Sequence, residues 1–233
     1  MEDAFTRNRV VVSNTEGRED AIFEEVKIAR ARNFFPPSQA SRVKGRLGFT
    51  TSQCFGRAGR FGVALLNKRE YVDKPPHTFD ENMESFNLWL RTFFANSPPR
   101  VCQLLPPEEK PAILFTDGWQ SALGFDAQLG CGAVLFSPRL SVPQYFGFML
   151  PQSLATRWLK DSENLMAITN AELIPSLIAR STWQDCFKHA RIIHFIDNNG
   201  CRDALIKGSS KRAEAGTIVG ASWLMDSKLS SYS

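Results

Sequence analysis

Three carboxylates in the second half of the chain are the residues best suited to chemistry. Asp117 lies in FTDG (residues 115–118), Glu172 in NAEL (170–173) and Asp197 in HFIDN (194–198). Each aspartate ends a short apolar run typical of a buried strand, and Glu172 lies near the start of a segment with helical spacing. Three such acids, if they converge, favour divalent cations, because hard oxygen ligands hold Mg²⁺ and the ion offsets their repulsion. Two ions about 4 Å apart would suit the displacement of a phosphodiester.

The segments around these acids alternate in kind. Apolar runs at 112–116, 131–136, 145–150 and 191–196 predict four strands. Turn residues separate the first three, so hairpins can join them into an antiparallel set. A helix is predicted from about 169 to 187, and the strand after it is predicted to be buried on both faces beside a parallel partner. The fold class is therefore α/β, with a mixed sheet of three antiparallel strands and one parallel strand, and with helices packed on it.

The first part of the chain is predicted to be mainly helical. Helical spacing places Ile22, Val26 and Ala29 on one face, and further helices are predicted over 40–66 and 82–94. Prolines then recur through 97–111, where they disfavour both helix and central strand. We interpret 1–96 as a helical region, 97–111 as a Pro-rich linker and 112–233 as the α/β domain.

Composition sets ordinary limits. The chain has 233 residues, 43% apolar content, a net charge of +4 and a pI near 8.9, which permits a nucleic-acid partner without requiring one. Its five cysteines are widely spread and form no C-x-x-C pair, so reduced thiols in a cytoplasmic or nuclear setting are the simpler interpretation. A charged N-terminus argues against a signal peptide, and no apolar run approaches the roughly 20 residues of a spanning helix. We expect a soluble monomer with no membrane partner.

The order of these motifs resembles the ribonuclease H domain of retroelement reverse transcriptases. The likeness runs through FTDG, GAVLF (132–136), AEL (171–173), FIDN (195–198) and ALIKG (204–208), and covers roughly residues 111–223. Upstream, VVSNTEGR (11–18) and GRLGFTTSQCFGR (45–57) resemble the thumb and connection that precede this domain in DIRS-like elements. The resemblance implies that 1–96 is a remnant of that region. The chain contains no Tyr-x-Asp-Asp polymerase motif, so DNA synthesis is not predicted.

The resemblance also implies a chemistry. Asp117 would bridge two Mg²⁺ or Mn²⁺ ions, Glu172 and Asp197 would complete the shell of one of them, and the substrate would be RNA in an RNA/DNA hybrid. The order of the acids along the chain distinguishes this pattern from those of other nucleases. A proofreading exonuclease would carry a glutamate two residues after the first aspartate, where this chain has Trp119, and an integrase would carry its glutamate last.

One departure from the family pattern bears on activity. Members carry a fourth carboxylate beyond another strand, whereas this sequence shows no strand after 212–229, so the resemblance implies that a fifth strand and a last helix are missing and leads us to expect a C-terminally truncated domain. Asp226 is the candidate substitute, but we expect it to be a solvated surface acid. The predicted activity is therefore weak or absent, and the alternative function is a noncatalytic nucleic-acid-binding or structural module that keeps the fold.

Basic and aromatic residues supply the candidate contacts to nucleic acid. They are Trp119 and the basic residues Arg42, Lys44, Arg46, Arg57 and Arg60. For the basic set, phosphate contact and a solvated helix face are nearly equal alternatives, and Trp119 can stack on a base or pack beside the strand. His194 is predicted to be a satisfied core or edge residue rather than a catalytic base.

Overall fold

The computed structural model describes residues 9–52, 57–96, 99–103, 110–121, 128–160 and 165–229. The chain forms two compact units, residues 1–107 and 108–233. Among the described residues, no helix combines the length and the apolar character needed to cross a membrane.

The first unit is mainly helical. Its helices are α1 (Arg18–Ala31), α2 (Pro37–Ser52), α3 (Arg60–Tyr71) and α4 (Glu81–Asn96). The predicted face of α1 is confirmed, since Ile22, Val26 and Ala29 are all buried. The single helix predicted over 40–66 is wrong, because α2 and α3 are separate helices; residues 53–56 lie outside the described part.

A short two-stranded sheet accompanies these helices. Strand β1 (Arg9–Val12) pairs antiparallel with β2 (Arg100–Gln103). Strand β2 falls in the segment interpreted as a Pro-rich linker; residues 97–98 and 104–109 of that segment lie outside the described part. Its four residues contain no proline, so each of them has the backbone N–H that strand pairing uses.

The second unit is built on a mixed sheet of four strands. They are β3 (Ala112–Gln120), β4 (Leu129–Phe136), β5 (Gln144–Met149) and β6 (Ile192–Phe195), in the spatial order β5-β4-β3-β6. Strands β3, β4 and β5 are antiparallel neighbours, and β6 runs parallel to β3. The predicted α/β class and the predicted strand directions are confirmed.

Helices cover one face of this sheet, called here the inner face. They are α5 (Gln152–Lys160), which the sequence did not predict, α6 (Leu165–Thr182), the short α7 (Gln184–Phe187), α8 (Asn199–Lys207) and α9 (Ala213–Leu229). Alternating residues of β3 lie against them, so that Ala112, Leu114 and Thr116 are buried. Helix α6 lies against β3 and β4 and positions one of the candidate acids.

The opposite, outer face of the sheet is apolar but exposed. Ile193 and Phe195 of β6 are 47% and 49% exposed, beside Phe115 at 43%. The prediction that this strand is buried on both faces is therefore wrong. Its continuous apolar run gave no alternation, and the pattern could not show that helices cover only one side of it.

Candidate metal centre

Parallel pairing of β3 and β6 brings two of the acids to one place. Phe115 pairs with Phe195, and each acid follows its phenylalanine by two residues, Asp117 within β3 and Asp197 just after β6. Because residues two apart on a strand share a face, Asp117 lies on the same side as Phe115, and both aspartates are exposed. The prediction that Asp117 ends its strand is wrong, since β3 continues to Gln120.

Glu172 reaches these aspartates because a glycine lets α6 touch β3. A Cβ on Gly118 would lie 2.4 Å from the carbonyl carbon of Ala171 and 2.5 Å from the nitrogen of Glu172. No larger residue fits without moving the helix. Pro175 lies inside α6 and lacks the N–H that would bond to the Ala171 carbonyl, so the helix gives up one backbone bond at this contact.

The three carboxylates converge closely enough to share an ion. One oxygen from each of Asp117, Glu172 and Asp197 lies within 4.8 Å of the other two. Oxygen ligands stand about 2.0–2.6 Å from Mg²⁺ or Ca²⁺, so two ligands of one ion are at most about 4–5 Å apart. The cluster therefore has the spacing to hold a divalent cation.

The electrostatics of the cluster are concentrated on Glu172. Its side chain is 7% exposed, and burial, followed by the charges of Asp197 and Asp117, raises the pKa of Glu172 to about 7. A backbone hydrogen bond from Gly118 acts in the opposite direction. Near neutral pH this carboxyl is therefore divided between its protonated and ionised forms.

Glu172 also has an oxygen without a partner in the described part of the chain. Its Oε2 is buried and accepts no hydrogen bond from any described residue. A buried acceptor left unsatisfied costs about 1–3 kcal/mol, and more when the group is charged. A cation between the three acids would supply the missing partner, so these residues fit a divalent ion.

The neighbouring cysteine does not change the character of the site. Burial raises the pKa of the Cys201 thiol to about 12, so it stays protonated, and its Sγ lies 3.5 Å from the carbonyl oxygen of Thr169. Its backbone N–H donates to the side chain of Asn198, which caps α8 directly after Asp197. The cap holds the N-terminus of α8, where the helix dipole favours a nearby negative charge. The donors available to a metal here are therefore oxygens.

An apolar groove of about 600 Å³ opens beside the acids on the outer face. Its walls include Phe115, Phe195 and Tyr145 together with Asp117 and Asp197. The rings of Phe115 and Phe195 stack at 4.8 Å with an interplanar angle of 12°. The exposed aspartates are therefore reached from a wide and largely apolar surface.

Asp226 does not join the cluster. It is 1% exposed, and both of its oxygens accept from Arg180, at 2.7 Å from Nε and 3.0 Å from Nη2. The expectation that Asp226 is a solvated surface acid is therefore wrong. No local pattern indicates this partner, because Arg180 is 46 residues away on α6.

The residues predicted to contact nucleic acid are not members of the carboxylate cluster. Trp119 is 42% exposed on β3, and its indole lies over Gly130, where a Cβ would meet Nε1 at 2.1 Å. Three of the basic residues pair with acids of the first unit: Arg42 and Arg46 with Glu25 at 2.5 and 2.9 Å, and Lys44 with Glu70. Arg57 and Arg60 are exposed. Much of the positive charge expected on this segment is thus balanced locally.

Sequence reasoning found the acids but not the polar residues beneath them. The prediction that His194 is a satisfied core or edge residue is confirmed, since it is partly buried and its Nε2 lies 2.8 Å from the Thr116 hydroxyl. Ser176, whose hydroxyl is 3.4 Å from the same nitrogen, was missed. The available signal was its position one helical turn after Glu172.

No family model, curated protein or solved structure matches this chain. The observations that bear on its function are therefore the sheet order and the geometry of the three carboxylates.

Proposed function

We propose that residues 112–233 form a ribonuclease H-like domain derived from a retroelement reverse transcriptase. In this proposal Asp117, Glu172 and Asp197 hold Mg²⁺ or Mn²⁺, two ions when the site is complete, and the substrate is the RNA strand of an RNA/DNA hybrid. Turnover is expected to be slow, because only three carboxylates come together among the described residues. A fourth would normally share the charge of a second ion.

The observation that carries this proposal is the convergence of three acids from a strand, a helix and a parallel strand onto oxygens within 4.8 Å. The sheet order β5-β4-β3-β6 is compatible with a ribonuclease H-like arrangement. The buried and unpartnered Oε2 of Glu172 adds support, since a purely structural carboxylate would be expected to have a described donor at each buried oxygen, and Gly118 supplies only one hydrogen bond.

The chain's own residues would bind and orient the ions and the substrate phosphate. Bound divalent cations would supply Lewis-acid stabilisation of the phosphate and a more acidic water. Asp117 and Asp197 offer exposed oxygens toward the groove, while Glu172 offers a buried oxygen from behind. Glu172 must lose its proton when an ion binds, because its pKa of about 7 leaves it partly protonated at neutral pH.

The test is cleavage of a labelled RNA/DNA hybrid by the purified full chain in Mg²⁺ and in Mn²⁺. We expect slow cleavage that Asp117→Asn abolishes and that Asp203→Asn leaves unchanged, since Asp203 is a half-exposed acid paired with Arg202. Cleavage that survives Asp117→Asn would identify a contaminating nuclease and refute the proposed site.

Binding of nucleic acid is a separate part of the proposal. Arg57 and Arg60 of the basic segment are exposed, and Arg42 and Arg46 pair with Glu25. If phosphates are bound there, the association constant for hybrid should fall with salt, with a log–log slope of about −0.9 per phosphate contacted. A slope near zero would remove the basic segment from the proposal.

A noncatalytic module is the second candidate. It is favoured by the same observation that limits turnover, namely that only three carboxylates come together among the described residues. Such a module would keep the fold without holding ions. The two functions differ in thermal unfolding, because a cation that binds only the folded state raises the midpoint. An unchanged midpoint at millimolar Mn²⁺ would favour the module.

A further inference from the structure

A buried polar cluster lies beneath the candidate metal centre. It consists of Thr116, Ser176 and His194, and it is centred on the Nε2 of the histidine. The Thr116 hydroxyl is 2.8 Å from this nitrogen and the Ser176 hydroxyl is 3.4 Å from it. Thr116 is 6% exposed and Ser176 is fully buried. Polar groups in such a place need partners, and each of these finds one in the cluster.

Each member of the cluster stands on a different element that carries an acid. Thr116 directly precedes Asp117 on β3, Ser176 follows Glu172 by four residues on α6, and His194 precedes Asp197 by three residues on β6. The imidazole therefore joins the same three elements that deliver the carboxylates, at a level just below them.

The imidazole is suited to a fixed hydrogen-bonding role. Burial, together with the nearby charge of Arg180, lowers the pKa of His194 to about 3, so it is neutral throughout the physiological range. A neutral ring has one donor and one acceptor nitrogen: in one tautomer Nε2 accepts from the hydroxyls, in the other it donates to one of them, and the ring is uncharged in both.

A buried ion pair joins α6 to α9 one helical turn after this serine. Arg180 Nη1 donates to the carbonyl of Ser176 at 3.0 Å, and the same guanidinium forms the buried pair with Asp226. Asp226 therefore belongs to the support of α6, through Arg180, and the support reaches from α9 to the strand that carries Asp117.

We propose that Thr116, Ser176 and His194 are positioning residues of the metal centre, whose hydrogen bonds fix β3, α6 and β6 so that the three carboxylates meet around a cation. This inference rests on the proposed function, since it assigns a role toward the ion held there. Groups that orient metal ligands from behind typically change metal affinity by about 10–100-fold when they are removed.

The test compares two substitutions at one position. Thr116→Val removes the hydroxyl and keeps the shape, whereas Thr116→Ser keeps the hydroxyl and removes a methyl group. Ser176→Ala removes the second hydroxyl. Ser222→Ala is the control, because Ser222 is equally buried but donates only to the Ile218 carbonyl of its own helix. Mn²⁺ affinity is measured by calorimetric titration of the folded chain, and metal-free stability by urea unfolding.

If these residues position the metal ligands, loss of a hydroxyl should lower Mn²⁺ affinity in a way that the change in metal-free stability does not account for. Thr116→Val and Ser176→Ala should weaken Mn²⁺ binding about tenfold, while Thr116→Ser and Ser222→Ala should bind within twofold of the parent chain even where they lower stability. Equal affinities in all four variants would overturn the inference and leave the proposed function standing. A parent chain that binds no Mn²⁺ would overturn both. If Thr116→Val does not fold, Ser176→Ala decides the matter alone.

Discussion

Replacing Glu172 with glutamine should stabilise the metal-free fold and at the same time remove its affinity for cations. The pKa of Glu172 is raised from its ordinary value of 4.5 to about 7. A carboxyl with a raised pKa holds its proton more tightly when folded, so its contribution to stability is present below pH 4.5 and is lost as the pH rises through 7. The difference of about 2.5 pH units corresponds to about 3 kcal/mol at pH 8, which glutamine would recover.

Urea unfolding in EDTA between pH 5 and 8.5 measures this effect. Tryptophan fluorescence is a suitable signal, since four of the five tryptophans lie in residues 108–233. The stability gap between Glu172→Gln and the parent should widen with pH by up to about 3 kcal/mol, whereas Asp203→Asn should show no such widening. Adding Mn²⁺ at pH 8 should then stabilise the parent, by about 2.7 kcal/mol at one hundred times its Kd, and the glutamine variant far less.

A stability gap that does not vary with pH would mean that Glu172 is ionised in the folded chain at little cost. It would refute the view that burial and the two aspartates raise the pKa of this carboxyl. Stabilisation of the glutamine variant by Mn²⁺ to the same extent as the parent would separately remove Glu172 from the ligand set.

Three further outcomes are expected. Mn²⁺ affinity should rise by about tenfold per pH unit below pH 7 and level off above it, because binding displaces the proton of Glu172; a pH-independent titration between 5.5 and 7 would contradict this. Gly118→Ala should cost about 1–3 kcal/mol by overpacking and weaken metal binding, whereas Gly147→Ala, where a Cβ meets nothing within 4 Å, should do neither; equal urea midpoints for the two variants would count against the close contact. Asp226→Asn should cost about 3–5 kcal/mol by leaving Arg180 buried without its partner, and a loss below 1 kcal/mol in urea unfolding would argue against that pair.

The sheet was predictable from the sequence because its strands are short apolar runs separated by turn residues. The parallel placement of β6 was predicted from its continuous apolar run, interpreted as burial on both faces; the direction is confirmed although that burial is not. The physical reason for the direction is the long helix before β6, which can cross from one strand to a parallel neighbour. The three acids could be grouped because each lies at or near the boundary of a predicted element. Local pattern was sufficient in these cases.

Other features depend on pairs that are distant in the sequence. The partner of Asp226 is on another helix, and the contact between Gly118 and Ala171 joins a strand to a helix across more than 50 residues. The break between α2 and α3 falls where no proline marks it, so the periodic apolar positions of 40–66 predicted one helix. Strands β1 and β2 come from near the two ends of the first unit, and no local sequence pattern predicts that they pair.

The stacked phenylalanines of the outer face have a practical consequence. Phe115 and Phe195 stand near one side of the sheet, where β6 has β3 as its one strand neighbour among the described residues. Unpaired backbone N–H and C=O groups of an edge strand, next to an exposed apolar surface, favour association between chains. Sulfate and phosphate buffers strengthen such adhesion, so dilute preparations at modest ionic strength should be the most monodisperse and the most suitable for calorimetry.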